Sequence, residues 1–245
     1  MTDSPVSGGH SGGREVYAGD EYLTRNPDWH VEDSAWKADR VQQMLARHHV
    51  DPHYLVEVGC GAGEVLVELA QRLGPECELV GYEIAPAAFE ICKPKETNSV
   101  RFELADFLEV PTTSRRPDVV LLLDVIEHVE DIFGFLREIR QRSDLFVFHI
   151  PLDTNAQAII RKGRSLEPRL HYGHIHSFTR DIALAQLEDT GFEVIDDEYT
   201  PHWRGLEPAS KKAALALWPR KLMYAIAPDL AVRTLGGASL LVLAR

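Results

Sequence analysis

Three acidic residues stand in or at the end of three successive short apolar runs, and the first lies beside a cluster of glycines. Glu57 belongs to the run Tyr54–Val58, which passes directly into Gly-Cys-Gly-Ala-Gly at 59–63. Glu83 and Asp106 end the next two runs. Glycines at a strand-to-helix turn let the backbone approach a ligand at the helix N-terminus closely. An acid on the preceding strand would not help to bind a negatively charged pyrophosphate, whereas it would help to bind a cationic amino-acid cofactor.

The spacing of these groups indicates a nucleoside ligand rather than a nicotinamide dinucleotide. The glycines form G-x-G-x-G, whereas nicotinamide-binding folds use G-x-G-x-x-G. Glu83 comes twenty residues after Gly63, where an acid can accept hydrogen bonds from ribose hydroxyls. Asp106 can accept a hydrogen bond from an exocyclic adenine amine. Each acid alone could be a solvated strand end, but all three beside the glycine loop predict one binding crevice.

A second group combines carboxylates with imidazoles. Asp124, Glu127 and His128 are spaced i, i+3, i+4, so a helical turn would place them on one face. The histidine-rich stretch 171–176 follows the fifth apolar run and should meet the same crevice. These side chains could form most of a shell for a divalent cation.

An ordinary structural role for the same residues stays open. Asp124 and Glu127 also fit a capping box, and acids are favoured in the first turn of a helix. His128 could simply form a hydrogen bond in the core. If both acids are buried, however, like-charge repulsion should raise a pKa unless a cation intervenes.

Short apolar runs alternating with helical patterns must position these groups. Continuous apolar strands separated by helices indicate a parallel sheet covered on both faces, so the predicted class is α/β, doubly wound. A late run reached through an insertion suggests an antiparallel strand inserted into the sheet. The predicted strands are Tyr54–Val58, Leu79–Tyr82, Val100–Leu104, Val119–Leu123, Leu145–Ile150, Phe192–Ile195 and Ala238–Ala244. The predicted helices are Ser34–His48, Glu64–Leu73, Pro86–Cys92, Val129–Arg140, Arg180–Asp189 and Pro208–Tyr224.

Composition narrows the class of protein. The chain has 245 residues, enough for one elaborated domain with a substantial core. Its net charge of −12 argues against a nucleic-acid backbone binder. Its three cysteines include no C-x-x-C pair, which excludes a disulfide framework and a cysteine zinc site. No apolar run approaches the ~20 residues of a membrane span, and no signal peptide is visible, so we expect a cytoplasmic protein.

The ends of the chain depart from the alternating pattern. Residues 1–13 are small and polar, which predicts a disordered tail. Residues 14–50 predict a helical cap, and a second cap insertion is expected at about 200–235. Its basic residues are spread around an apolar helix that could pack on the site or face a membrane surface or partner. These are Lys211, Lys212, Arg220 and Lys221.

The segments VEVGCGAG, GYE, LADF, LLLDVIEHVED, GFEVID and SLLVLA together resemble class I S-adenosylmethionine-dependent methyltransferases. The resemblance spans about Tyr54 to Ala244, and residues 51–245 would form the methyltransferase domain. It implies a Rossmann-like sheet of seven strands, mainly parallel, with the last antiparallel. Glu57, Gly59 and Gly61 would cradle the methionine part of the cofactor. Glu83 would hold the ribose and Asp106 the adenine, with Ile84 and Phe107 packed on its ring. The expected cofactor-binding set is Glu57, Gly59, Cys60, Gly61, Gly63, Glu83, Ile84, Asp106, Phe107 and Asp124.

Two further resemblances concern the acceptor side. Asp124 to His128 and the downstream His174 are similar to the E-x-x-E-H motif and histidine of the small-RNA 2′-O-methyltransferases, and to a related motif of ubiquinone-pathway O-methyltransferases. This resemblance implies the ligand set Asp124, Glu127, His128 and His174. The opening YLTRNPDWHVEDSAWKADR resembles the N-terminus of a group of bacterial methyltransferases. In them this segment would close over the cofactor, which makes Trp29, His30, Trp36 and Lys37 candidate lining residues.

These observations favour methyl transfer to a polar small molecule, most simply to the oxygen of a metabolite or sugar-like hydroxyl. His174 is the first candidate for a base, His128 the second and His149 the third. A divalent metal ion is an additional candidate cofactor. An N-methyltransferase and a non-catalytic cofactor-binding scaffold stay open as alternative functions. A homodimer stays open as the oligomeric state. No nucleic-acid partner is expected.

Overall fold

A computed structural model describes residues 33–111, 115–204 and 211–245, with side chains except those of 204–216. The predicted tail at 1–13 and the candidates Trp29 and His30 lie outside the described residues. The described chain forms one seven-stranded sheet in the order β3-β2-β1-β4-β5-β7-β6. The last strand lies antiparallel between the two before it, while the first five are parallel. The α/β class and this topology are confirmed.

The elements alternate along the chain as the sequence predicts. The strands are β1 Tyr54–Val58, β2 Glu78–Glu83, β3 Val100–Leu104, β4 Val119–Leu123, β5 Phe146–Pro151, β6 Val194–Pro201 and β7 Ala238–Ala244. The helices are α1 Ser34–Arg47, α2 Glu64–Leu73, α3 Pro86–Cys92, α4 Ile132–Ile139, α5 Ala156–Ile160, α6 Glu167–His171, α7 Arg180–Asp189, α8 Lys211–Ile226 and α9 Pro228–Leu235.

Strand alternation divides the core between the two faces of the sheet. In β4, Val119, Leu121 and Leu123 pack with α1, α2 and α3, whereas Val120 and Leu122 pack with α4 and α7. Successive side chains of a strand point to opposite faces, so a run of apolar residues is buried on both sides. In β1 the same rule places Glu57 on the face covered by α1.

Several predicted boundaries are wrong. The sixth strand begins at Val194 rather than Phe192 and continues to Pro201 through polar residues that the apolar run did not reveal. The helix predicted from Val129 begins at Ile132 and is capped by Asp131, whose carboxylate accepts from the N–H of Gly134. No pattern predicted α5, α6 or α9. Thr179 caps α7, accepting from the N–H of Ile182.

Gly63 is required by both conformation and space. Its φ is +77°, and a Cβ there would lie 2.5 Å from Phe102 Cζ and 2.8 Å from Cys92 Cβ. Gly163 has a similar φ of +83°, but a Cβ at that position would have no neighbouring atom within 4 Å. We therefore expect Gly63→Ala to destabilise the protein by about 2 kcal/mol more than Gly163→Ala. Urea unfolding of the two variants checks this difference, and equal losses would contradict the packing argument.

Candidate active site

A large cavity lies at the carboxyl ends of the parallel strands, where β1 and β4 send their connections to opposite sides. In open α/β sheets this switch point is where ligands bind. The cavity has a volume of about 790 Å³. Its wall includes the glycine loop, the three acids of the strand ends, the start of α1 and several histidines. It is large enough for a nucleoside cofactor and a small acceptor together.

The glycine loop is held against β2 by backbone hydrogen bonds. The N–H groups of Gly59 and Cys60 both donate to the carbonyl of Tyr82, at 2.8 and 3.1 Å. Gly59, Gly61 and Gly63 all have positive φ, which allows the sharp turn into α2. The thiol of Cys60 packs towards Gly81, where a Cβ would lie 2.7 Å from its sulfur. Cys60 therefore lines the cavity chiefly through its backbone.

Glu83 ties the loop to the end of β2. Its Oε2 accepts from the N–H of Gly61, and its Oε1 accepts from the N–H groups of Ile84 and Ala85, each at 2.8 Å. Burial raises the pKa of Glu83, and the three hydrogen bonds offset part of this effect. The carboxyl thus sits in a fixed position at the cavity wall, beside the loop that it stabilises.

Beyond Glu83 the wall becomes apolar and more open. Asp106 accepts a hydrogen bond from the N–H of Leu108 at 2.9 Å and so starts the turn Phe107–Glu109. The buried Phe107 ring packs against Tyr82 with centroids 4.9 Å apart. Ile84, by contrast, is half exposed at the cavity edge. A flat base could lie between these two apolar side chains with its amine towards Asp106.

Glu57 is a buried acid whose carboxylate is incompletely satisfied. It is 3% exposed, and its Oε2 has no hydrogen-bond partner among the described residues. Burial raises the pKa of Glu57 to about 8, although the charge of Lys37 opposes this. Such a group gains most from a cationic ligand, since the positive charge of the ligand would stabilise the carboxylate form that burial disfavours.

Lys37 of α1 links the cap helix to the switch point. Its ammonium lies 2.7 Å from Asp124 Oδ2 and 3.1 Å from Asp33 Oδ2. Burial would lower the pKa of Lys37, but these two carboxylates outweigh it and hold the pKa above its ordinary value. Asp33, the residue just before α1, pairs with Lys37 and makes no side-chain cap bond with the helix.

Asp124 has a second partner in His149 of β5. Its Oδ1 accepts from Nδ1 of His149 at 2.6 Å, and Nε2 of His149 lies 3.0 Å from Thr200 Oγ1. Burial would raise the pKa of Asp124, but His149 and Lys37 hold it well below the usual range. Both ring nitrogens of His149 thus form hydrogen bonds within the protein, which favours a structural role for this residue over a role as a general base.

The predicted helical turn at 124–128 does not form. Asp124 has a φ of +56°, and the following residues make a short 3-10 turn at Ile126–His128. Its carboxylate consequently turns to Lys37 and His149, away from the other acid of the motif. Asp124 is therefore neither a cap of α4 nor a member of the cluster formed by Glu127 and the histidines.

Glu127, His128 and His174 do come together. One ligand atom from each lies within 4.8 Å of the others. Glu127 is fully buried, and neither of its carboxylate oxygens has a hydrogen-bond partner among the described residues. Burial, followed by the charge of Asp124, raises the pKa of Glu127 well above its ordinary value. Burial and the neighbouring His174 lower the pKa of His128 to about 4.

Both imidazoles of this cluster are oriented through Nδ1. Nδ1 of His128 donates to the carbonyl of Gly173 at 3.2 Å, and Nδ1 of His174 lies 2.7 Å from Asp153 Oδ2. An oxygen acceptor behind each ring is the arrangement that fixes metal-binding histidines with Nε2 as the ligand atom. The cluster is thus chemically suited to a divalent cation.

The cavity lining includes residues that sequence reasoning missed, among them Asp153, His202 and Ser239. Asp153 follows β5 by two residues, so the rule that carboxyl strand ends carry ligands could have found it. His202 comes from the turn after β6 and Ser239 from β7, and only the tertiary fold brings them here. Tyr172 lines the cavity as part of the stretch 171–176 that was expected there.

The sheet order, the glycine loop and the acids at its strand ends define the class as a Rossmann-like S-adenosylmethionine-dependent methyltransferase. A family model described as a methyltransferase domain matches residues 29–197, and the chain belongs to that family. The cofactor is accordingly S-adenosylmethionine.

Individual relatives and solved structures share either a short matched segment or a low sequence identity with this chain. Norajmaline N-methyltransferase of Rauvolfia serpentina is 33% identical over 92 residues, which cover 36% of this chain and 31% of the relative. The match thus spans about a third of that enzyme's length. Magnesium protoporphyrin IX methyltransferase from Synechocystis PCC 6803, solved with bound cofactor, has a TM-score of 0.60 at 14% identity, covering 97% of this chain and 99% of that one. Plantazolicin methyltransferase BpumL has a TM-score of 0.59 at 15% identity over 95% and 93% of the chains. These structures show the shared fold.

Among the described residues, no helix combines the length and apolar character needed to cross a bilayer.

Proposed function

We propose that this methyltransferase transfers a methyl group to an oxygen of a polar small molecule, with help from a divalent metal ion. The supporting observation is the cluster around Glu127. Neither oxygen of this buried carboxyl has a hydrogen-bond partner among the described residues, although Nε2 of His128 lies 3.8 Å from its Oε1. Such burial is costly unless something compensates it. Two imidazoles oriented through Nδ1 stand beside it, at His128 and His174.

The residues around the glycine loop would hold the cofactor. Glu57 would receive the amino group of its methionine part, Glu83 the ribose hydroxyls and Asp106 the adenine amine. Gly59, Gly61 and Gly63 would let the backbone approach it closely. When bound, S-adenosylmethionine supplies a methyl group already activated by the sulfonium. The protein's own task is then to align the acceptor and exclude water.

The metal would be held by Glu127, His128 and His174. A carboxylate with two imidazoles suits a borderline divalent ion such as zinc, manganese or iron. When bound, such an ion lowers the pKa of a coordinated hydroxyl. Asp153 would orient His174, and the Gly173 carbonyl would orient His128, so the two rings are positioned before any ion arrives.

His174 can also act on the acceptor directly. Its Nδ1 is bound by Asp153, so Nε2 is the nitrogen that could take a proton from an acceptor hydroxyl. His128 is a weaker candidate for this task, because burial and His174 already lower its pKa to about 4. His174, oriented by Asp153 and facing the cavity, could therefore serve either as a metal ligand or as a general base.

N-methylation is the second candidate, and one observation favours it. The relatives norajmaline and ajmaline N-methyltransferase, both from Rauvolfia serpentina, are named for nitrogen acceptors. An amine acceptor needs deprotonation but no metal ion. The two candidates therefore differ in their response to chelators.

Methyl-labelled cofactor with panels of small hydroxyl and amine acceptors tests the proposal. We expect label on a hydroxyl acceptor, loss of transfer after EDTA treatment, and recovery when a divalent ion is restored. Transfer to amines that is unaffected by EDTA would support the second candidate instead. An absence of transfer to either panel, with cofactor bound, would favour a scaffold role.

Binding of the cofactor should release a proton near neutral pH. In the unliganded protein burial raises the pKa of Glu57 to about 8, so the carboxyl is mostly protonated at pH 7. A cationic ligand favours the carboxylate, so affinity should rise with pH up to about 8. Calorimetry in buffers of different ionisation enthalpy should therefore detect up to about one proton released. The Glu57→Gln variant should bind more weakly with no release, and unchanged proton release in this variant would refute the assignment.

A further inference from the structure

The most exposed apolar side chains are gathered in one region. Eight large apolar side chains are more than half exposed among the residues whose side chains the structure describes, with exposures of 52% to 82%. All eight lie within 159–170 or 218–230. We call this set the apolar surface. Its members are Ile159, Ile160, Leu166, Leu170, Trp218, Leu222, Ile226 and Leu230. Such a concentration in one place marks an interaction site.

The parts of this surface belong together in space. Helix α9 packs against both α5 and α8 and so joins the two stretches of chain. Arg220 of α8 donates to the carbonyl of Leu235 at 2.8 Å, at the end of α9. Burial lowers the pKa of Arg220, and the charge of Arg164, in the turn between α5 and α6, lowers it further.

Basic side chains alternate with the apolar ones. Residues 159–170 and 218–230 contain six Lys or Arg and two acids, Glu167 and Asp229, in a chain with a net charge of −12. The basic residues are Arg161, Lys162, Arg164, Arg169, Arg220 and Lys221. All except Arg220 are exposed. The local charge is thus opposite in sign to that of the whole protein.

This combination selects among possible occupants. A symmetric dimer through this surface would set its basic side chains against their own copies, because a two-fold interface pairs a patch with itself. An anionic bilayer, in contrast, accepts both kinds of side chain at the same depth. Apolar residues enter the boundary of the acyl chains, while Lys and Arg remain near the phosphates. Exposed tryptophan, here Trp218, is also favoured at that level.

We propose that the apolar surface docks this protein onto a membrane containing anionic phospholipid. The stretch 159–170 is connected along the chain to the candidate active site at both ends, since Asp153 before it and Tyr172 after it line the cavity. Docking would therefore bring the cavity wall next to the bilayer. If the proposed methyl transfer holds, an amphiphilic acceptor could enter from the membrane; this consequence rests on the proposed function, whereas the docking itself does not.

Vesicle co-sedimentation of the full chain tests the docking. We expect binding to vesicles of phosphatidylcholine with phosphatidylglycerol, little binding to phosphatidylcholine alone, and weaker binding at high salt. The double substitutions Ile159→Ser with Ile160→Ser, and Arg161→Glu with Lys162→Glu, should each lower the bound fraction about tenfold. The matched controls are Ile182→Ser on α7 and Arg116→Glu, which should bind like the original protein.

Three results would overturn the docking proposal. They are no sedimentation with anionic vesicles, equal binding by all four variants, and a self-associated species that Ile159→Ser with Ile160→Ser dissociates. The last would assign the surface to a second copy of the chain. Binding of S-adenosylhomocysteine should be unchanged in all variants. Vesicle binding without any methyl transfer would contradict the proposed function alone and still support the docking.

Discussion

Replacing Glu83 with alanine is expected to weaken binding of S-adenosylhomocysteine by about 100-fold or more. The change removes the acceptor proposed for the ribose hydroxyls, and charge-assisted hydrogen bonds are each worth about 1.5–3 kcal/mol. It also releases three backbone N–H groups, including that of Gly61, so the glycine loop loses its anchor. Isothermal titration calorimetry measures the affinity directly.

A matched control separates the ribose role from a general effect of lost charge. Glu103 is an exposed acid on the neighbouring strand β3, and Glu103→Ala should bind the ligand normally. Because Glu83→Ala loses three hydrogen bonds that stabilise the loop, circular dichroism must first show that it is folded at the measuring temperature. A folded Glu83→Ala protein that binds within about threefold of the original affinity would contradict the assignment.

Removing one ligand of the Glu127 cluster should abolish metal binding. We expect the original protein to bind one divalent ion per chain, and Glu127→Gln and His174→Ala to weaken it by at least about 100-fold. Methyl transfer to a hydroxyl acceptor should fall by a similar factor. Glu127→Gln preserves the shape of the side chain but cannot supply a carboxylate to an ion, so the variant should still fold. Metal titration by calorimetry and elemental analysis provide the measurements.

The control for this experiment is a histidine from the same stretch. His171 lies in α6 on the exposed surface, and its ring Nδ1 contacts the carbonyl of Glu167 rather than the cluster. His171→Ala should retain the ion and the activity. If the original protein binds no ion and transfers methyl groups fully in EDTA, the metal proposal fails and N-methylation becomes the better candidate.

Local signals predicted the fold well where they were strong. The runs Tyr54–Val58, Val100–Leu104 and Val119–Leu123 have the predicted bounds. The first and third are mainly apolar, the second alternates apolar and charged residues, and each ends in a turn. The polar half of β6 was missed, since its pairing with β7 rather than its own hydrophobicity makes it a strand. The short helices α5 and α6 lack a buried stripe long enough to predict.

The positions of single chemical groups were predictable, but their partners were not. The acids at the strand ends follow from the strand pattern alone. The left-handed backbone of Asp124 does not, and this conformation turns its carboxylate to Lys37 and His149 instead of Glu127. Contacts between residues far apart in the chain, such as that of His174 with Asp153, depend on how the helices and loops pack against the sheet.

The central claim is that the crevice beside the glycine loop binds an adenosyl sulfonium cofactor. Its most direct test is calorimetric titration of the purified chain with S-adenosylhomocysteine, repeated with S-adenosylmethionine as competitor. We predict saturable binding at one site per chain, with a dissociation constant of about 100 µM or tighter, that the competitor displaces. No heat at two different temperatures, or heat that the competitor leaves unchanged, would contradict it.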